Sequence, residues 1–233
     1  MDVLRREATG TARRRALTAV CGGLGVLTAL GAGVVTGAAP QIRVDEAVSQ
    51  ALYAGDERAT VVTVVLEVLT TPGVVWFRVL VFLPVLFWLG ARRAWWTAAW
   101  VIAANVGVSP LTVLLKEAVG RVRPAFEDGG LHHGGLSFPS GHSSGVATLV
   151  TVGLVLAWPR LTPRRRRLAV AGGVGLAVLV GLTRIWLGVH FPSDVVGGWA
   201  LGVAWSLAVA LLAGALPGGR AALPAQEKGA DPT

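Results

Sequence analysis

The chain has 233 residues, 53% of them hydrophobic and 15% charged, with a mean hydropathy of +0.63 and a formal charge of +8. That balance excludes an ordinary soluble domain and implies a single integral membrane domain. The basic residues stand in short blocks between apolar runs rather than in a stripe interleaved with polar residues, so membrane topology explains them and no nucleic-acid partner is expected. The one cysteine, Cys21, lies in an apolar run and has no internal partner for a disulfide.

Residues 1–15 form a basic cytoplasmic segment containing Arg5, Arg6 and Arg13, Arg14, Arg15. Six apolar segments follow: Ala16–Ala39, Val74–Leu89, Trp95–Leu115, Ser143–Trp158, Leu168–Leu187 and Val195–Leu216. A helix rising ~1.5 Å per residue needs about 20 residues to cross a ~30 Å hydrocarbon layer, and most of the segments approach that length. The expected fold is therefore all-α, an integral membrane bundle of six transmembrane helices over residues 16–216. The first segment exceeds the roughly 7 to 15 apolar residues of a signal core, which favours a retained helix. The second is short and contains Arg78, so it is expected to begin earlier, to tilt, or to let Arg78 snorkel.

Between these two spans, Gln41 to Thr71 mixes charges with Val and Leu at helical spacing, the pattern of an amphipathic helix lying on the outer surface. Residues 217–233 are polar and rich in Gly, Ala and Pro, and read as a disordered cytoplasmic tail. Arginines mark every second connection: the N-terminal segment, Arg92 and Arg93, and Arg164 to Arg167. The positive-inside rule puts these connections and both termini in the cytoplasm, and the connections near residues 40–73, 116–142 and 188–194 outside. The 31 glycines are expected at helix contacts, where small residues let membrane helices approach.

The remaining polar residues gather at the outer ends of the third to sixth spans. The third ends in KEAVGRVRP, with Lys116, Arg121 and Arg123. FPSGHSSG opens the fourth, with Ser140, Gly141 and His142. TRIWLGVHFPSD joins the fifth to the sixth, with Arg184, His190 and Asp194. Each residue alone has an ordinary explanation: a headgroup contact for a cation, a helix cap for Ser140, a structural role for a lone histidine. Together they describe a site. Cations beside a helix N-terminus bind a multiply charged oxyanion such as phosphate. One neutral imidazole can attack phosphorus while the other, protonated, gives a proton to the leaving oxygen. A carboxylate beside the attacking imidazole fixes its tautomer, and Asp194 is placed for that. Pro192 lies between His190 and Asp194, so the pair is expected to span a turn, with Pro192 opening the sixth span.

These three stretches resemble, in order, the signatures of the type 2 phosphatidic acid phosphatase superfamily, whose members include integral lipid phosphatases and soluble vanadium haloperoxidases. Lys116 to Arg123-Pro124 matches the first, Pro139-Ser140-Gly141-His142 the second, and Thr183-Arg184, His190 and Asp194 the third, with Thr183 standing where the family has serine. The resemblance implies that His190 is a nucleophile forming a phosphohistidine, with Asp194 hydrogen-bonded to it. His142 would be the general acid and later activate water. Lys116, Arg123, Arg184, Ser140 and the Gly141 amide would hold phosphate oxygens.

No metal and no cofactor are implied. His132 and His133, in DGGLHHGG, are adjacent and lack acidic partners, which is weak for a metal site, and a flexible outer loop is expected there. Arg121 is not a motif position and reads as a headgroup contact. The implied function is a metal-independent phosphatase of the outer membrane face. Its partners are membrane lipids and a lipid phosphate or pyrophosphate substrate, of the phosphatidic acid, phosphatidylglycerol phosphate or polyprenyl pyrophosphate type. The alternatives are a phosphotransferase using the same intermediate and a non-catalytic lipid transporter.

Overall fold

The computed structural model describes residues 2–55, 58–126, 135–216 and 219–223, with side chains from residue 10 onward. In these residues eight α-helices run in the order α1 (Asp2–Val35), α2 (Ala39–Leu52), α3 (Thr60–Thr70), α4 (Val75–Ala91), α5 (Trp95–Val119), α6 (Gly141–Ala157), α7 (Pro163–Trp186) and α8 (Pro192–Ala213). Among the described residues, five helices are long and apolar enough to cross a membrane, and a sixth span exists if the bent pair α3 and α4 is counted as one. Helices suit this sequence because lipid offers no partner to a backbone amide or carbonyl, and a helix pairs them internally. Exposed Leu80, Phe87, Leu114 and Leu212 form part of an apolar outer surface.

The helix α8 is the hub of the bundle and packs against α1, α5 and α6. Its small residues make this possible. A Cβ on Gly198 would lie 2.5 Å from the Ser140 carbonyl oxygen, so the first turns of α6 and α8 touch backbone to backbone. On the other side of α8, Leu27 of α1 joins Phe138 and Leu201 in a buried apolar cluster. A larger cluster around Trp100, Val101, Val152 and Ala210 fills the middle of α4, α5, α6 and α8.

The second span departs from expectation in an instructive way. It does begin earlier, but as a separate helix: α3 stops at Thr70, residues Thr71–Gly73 make a single tight turn, and α4 leaves at 47° to α3. Pro72 supplies the break, having no amide hydrogen to continue the helical ladder. Arg78 does not snorkel. It is buried and donates to Ser109 Oγ at 3.2 Å, because α4 turns that face toward α5.

The amphipathic helix expected over Gln41 to Thr71 is two helices, α2 and α3. In α2 the polarity is inverted: Asp45 and Ser49 are buried while Val44 is exposed. The expected tail is packed where it is described. Thr97 Oγ1 donates to the Ala221 carbonyl at 2.9 Å, and the Arg220 guanidinium lies 4.0 Å from the Trp96 ring centroid. Gly214, in a left-handed conformation, turns the chain back so that Ala221 reaches the core.

The two ends of the bundle differ. At one end, Arg92 and Arg160 sit over Trp88 at 5.1 and 5.6 Å, and Arg166 sits over Trp158 at 5.0 Å. Arginine with tryptophan is the composition of a membrane interface. The opposite end carries the C-termini of α5 and α7 and the N-termini of α6 and α8, and with them every candidate site residue.

Candidate active site

Chain punctuation delivers each side chain. Gly120, at φ +69°, ends α5 one turn beyond Lys116 and frees Arg121 to Arg123 from the helix. Ser140 precedes α6 and accepts weakly from the Ser143 amide at 3.5 Å, placing Gly141 and His142 in the helix's first turn. Arg184 lies in the last turn of α7, and Pro192 opens α8 with Asp194 in its first turn. Four separate helix ends thus converge.

The nucleophile candidate and its carboxylate are both buried, at 2% and 0% exposure. His190 Nδ1 lies 3.4 Å from Asp194 Oδ2, and the Phe191 amide donates to the same oxygen at 2.9 Å. The expected turn between them is present, since Phe191 is extended and Pro192 is the first helical residue. Burial pushes the His190 imidazole down to about 4, against the opposing pull of the Asp194 hydrogen bond and charge, with Arg184 and Arg123 lowering it further. At neutral pH the ring is therefore uncharged. With Nδ1 donating to Asp194, its Nε2 keeps a free lone pair.

Cations surround this pair. Lys116 Nζ donates to the Leu136 carbonyl and, at 3.1 Å, to that of Ser137. Arg123 Nη1 donates to the Val189 carbonyl at 2.8 Å, beside His190. Arg184 is buried and its Nε has no hydrogen-bond partner among the described residues. Lys116 and Arg123 hold backbone carbonyls, and none of the three cations forms an ion pair among the described residues. The α6 N-terminus adjoins them, because the Ser140 amide donates to the Asp194 carbonyl at 2.9 Å. Gly141 and His142 follow that contact directly, with the His142 carbonyl packed against Gly73. Three cations, a helix N-terminus and a buried neutral imidazole make a receptor for a tetrahedral oxyanion.

Arg121 is not a headgroup contact. It is buried between two carboxylates, 2.7 Å from Asp45 Oδ2 and 2.8 Å from Asp194 Oδ1, and its guanidinium lies 3.9 Å from the Phe191 ring centroid. Asp45 itself escaped sequence reasoning. It lies 76 residues from Arg121, in a helix expected to face water, and nothing in its neighbours marks it. His132 and His133 fall outside the described residues. Among the described residues no group of three or more His, Cys, Asp or Glu side chains has an arrangement that could hold a metal ion.

A family model described as the PAP2 superfamily matches residues 94–216, more than half of the chain and all of these motifs. The chain belongs to the PAP2 superfamily. Phosphatidylglycerophosphatase B of Bacillus subtilis is 44% identical over 96 residues, 40% of this chain and 46% of that protein. Lipid A 1-phosphatase of Rhizobium johnstonii is 36% identical over 126 residues, 50% of this chain and 48% of the relative. This PAP2 chain spans about half the length of the curated relatives it matches. Among solved structures, the crystal structure of a transmembrane PAP2 type phosphatidylglycerolphosphate phosphatase from Bacillus subtilis aligns with a TM-score of 0.60 at 29% identity, covering 83% of this chain and 93% of that one. With its apolar helices, the likeness makes this PAP2 chain a multi-pass membrane protein.

Proposed function

We propose that the chain is a membrane lipid phosphatase that cleaves a phosphate monoester or pyrophosphate through a phosphohistidine on His190. The observation that carries this reading is the buried His190 and Asp194 pair set among Lys116, Arg123 and Arg184. Phosphate oxygens would lie on the three cations, on Ser140 and on the Gly141 amide, where charge builds in the transition state. His190 Nε2 then forms a bond to phosphorus as the bond to the lipid oxygen breaks, and protonated His142 gives that oxygen its proton. Asp194 holds the Nδ1 proton and the positive charge gained by the ring. In the second step His142 takes a proton from water. The water oxygen binds phosphorus, and the bond to His190 Nε2 breaks to restore the neutral ring.

The basic connections lie at the other end of the bundle, so the positive-inside rule supports a site at the outer leaflet, with both termini in the cytoplasm. The substrate's apolar tail would remain in the bilayer. The relatives' names point to phosphatidylglycerophosphate, lipid A phosphate and undecaprenyl diphosphate as the classes to compare.

Phosphate release from detergent-solubilised protein tests the reading, using phosphatidylglycerol phosphate, phosphatidic acid and a polyprenyl pyrophosphate. Wild type should release phosphate from at least one, and His190→Ala from none. Equal release by the two proteins rules out the assigned chemistry.

A further inference from the structure

The ion network behind Asp194 has no part in the three motifs, yet it reaches the nucleophile through one carboxylate. Asp194 Oδ2 faces His190 and the Phe191 amide, and Oδ1 accepts from Arg121 Nη1 at 2.8 Å. The same Nη1 donates to Ser193 Oγ at 2.7 Å, and Nη2 donates to Asp45 Oδ2 at 2.7 Å. Asp45 in turn takes the Ser193 amide on Oδ1 at 2.9 Å and the Ser193 hydroxyl on Oδ2 at 2.6 Å. Both carboxylates therefore bind free amides at the start of α8, where the helix dipole favours negative charge. The guanidinium between them is buried with them, and its ring contact to Phe191 fixes its plane.

We propose that Arg121 and Asp45 are positioning residues for phosphoryl transfer: Asp45 fixes Arg121, and Arg121 holds one oxygen of Asp194 so that the other stays on His190. The proposal rests on the histidine nucleophile put forward above. A carboxylate gripped only by the Phe191 amide and the imidazole is free to rotate about its Cβ–Cγ bond. Gripped on Oδ1 as well, it has one orientation, and Nδ1 of His190 has one acceptor. This assigns α2 a role at the site, although it carries no motif residue and lies outside the matched family region. It also accounts for the inverted polarity of α2, whose buried Asp45 sits where an apolar residue would be expected on a helix packed against a membrane bundle.

The charged groups acting on His190 are Asp194 on α8, Arg184 on α7 and Arg123 after α5, with Lys116 on α5 and Arg121 after α5 reaching it through Asp194. Asp45 on α2 faces it through Arg121, and Glu67 on α3 through Arg184. Removing the positive Arg121 exposes His190 to more of the Asp194 charge and makes the ring easier to protonate. Removing the negative Asp45 has the opposite sign.

The test uses Arg121→Met, Arg121→Lys and Asp45→Asn in the full chain, each checked for folding by thermal melting in detergent. Phosphate release gives kcat and KM, and ¹⁵N-histidine NMR follows the protonation of His190 with or without turnover. Arg121→Met should lower kcat roughly 10- to 100-fold, the usual loss when a group that orients a first contact is removed. KM should change far less, and the pH at which His190 protonates should rise. Arg121→Lys should recover part of kcat, and Asp45→Asn should shift the His190 titration the other way. A folded Arg121→Met with unchanged kcat overturns the proposal, and so does one that loses kcat while the His190 titration stays put. Should Arg121→Met not fold, the lysine and asparagine variants decide by the same two readouts. If wild type releases no phosphate from any substrate, the phosphatase reading falls, and the titration shifts still judge the network.

Discussion

Replacing Asp194 with asparagine keeps the side chain's shape and removes its charge. The amide must place its oxygen toward Arg121, because an NH₂ group there would meet a guanidinium donor 2.8 Å away. Its nitrogen then faces His190 Nδ1 and the Phe191 amide, both of which donate in the wild type. The imidazole must respond by carrying its proton on Nε2, the atom needed for attack. A buried carboxylate that sets a catalytic imidazole's tautomer is worth about 10⁴ in kcat in a hydrolytic triad, which corresponds to ~5 kcal/mol of barrier. The variant should therefore lose about 10⁴ in kcat with KM little changed. Phosphate release under saturating substrate measures it, after size-exclusion chromatography has shown that the variant folds. A folded Asp194→Asn retaining more than roughly a tenth of wild-type kcat would refute the tautomer argument.

Four further outcomes follow from the same structure. Because His190 is pushed down to about 4 in the folded protein, kcat/KM should have no acid limb from this group near its ordinary value of about 6.5 and should fall only near pH 4. The unfolded chain binds that proton first, so the stability contribution of buried neutral His190 is complete above about pH 6.5 and is lost as pH falls through about 4. Thermal melts across that window should show the decline. Gly198→Ala drives a Cβ against the Ser140 carbonyl at 2.5 Å and should cost about 1–3 kcal/mol of stability, read as a lowered melting temperature. With Cys21→Ser as background, Val122→Cys should react with an impermeant thiol reagent on intact cells and Arg93→Cys only after permeabilisation. The reverse pattern would invert the topology.

Five of the six spans, and the convergence of the ends of the third to sixth, are legible because hydrophobic run length and proline or glycine punctuation are local signals. Lys116, Arg123, Arg184, His190 and Asp194 group together on sequence alone, since each sits at the end of a span and alternation puts those ends on one face. The break at Pro72 was less legible. A proline beside an apolar run marks an interruption but not its angle, and at the break Gly73 packs against the His142 backbone, a long-range contact. Asp45 was illegible for a different reason. An acidic residue on a short amphipathic helix reads as a solvated face, and only the long-range meeting with Arg121 reverses the reading. Arg78 failed in the same way: snorkelling assumes lipid around the side chain, whereas α5 offers Ser109.

The cations of this site fall into two sets with different debts. Arg121 is already paired with Asp45 and Asp194, so its charge is met within the scaffold around His190. Lys116, Arg123 and Arg184 form no ion pair among the described residues, so a bound oxyanion would supply their counter-charge. In the proposed reaction the liberated phosphate carries the charge those groups hold best. On the proposed reaction, product should leave slowly and compete with lipid, and phosphate release should be lower in a phosphate buffer than in an inert one.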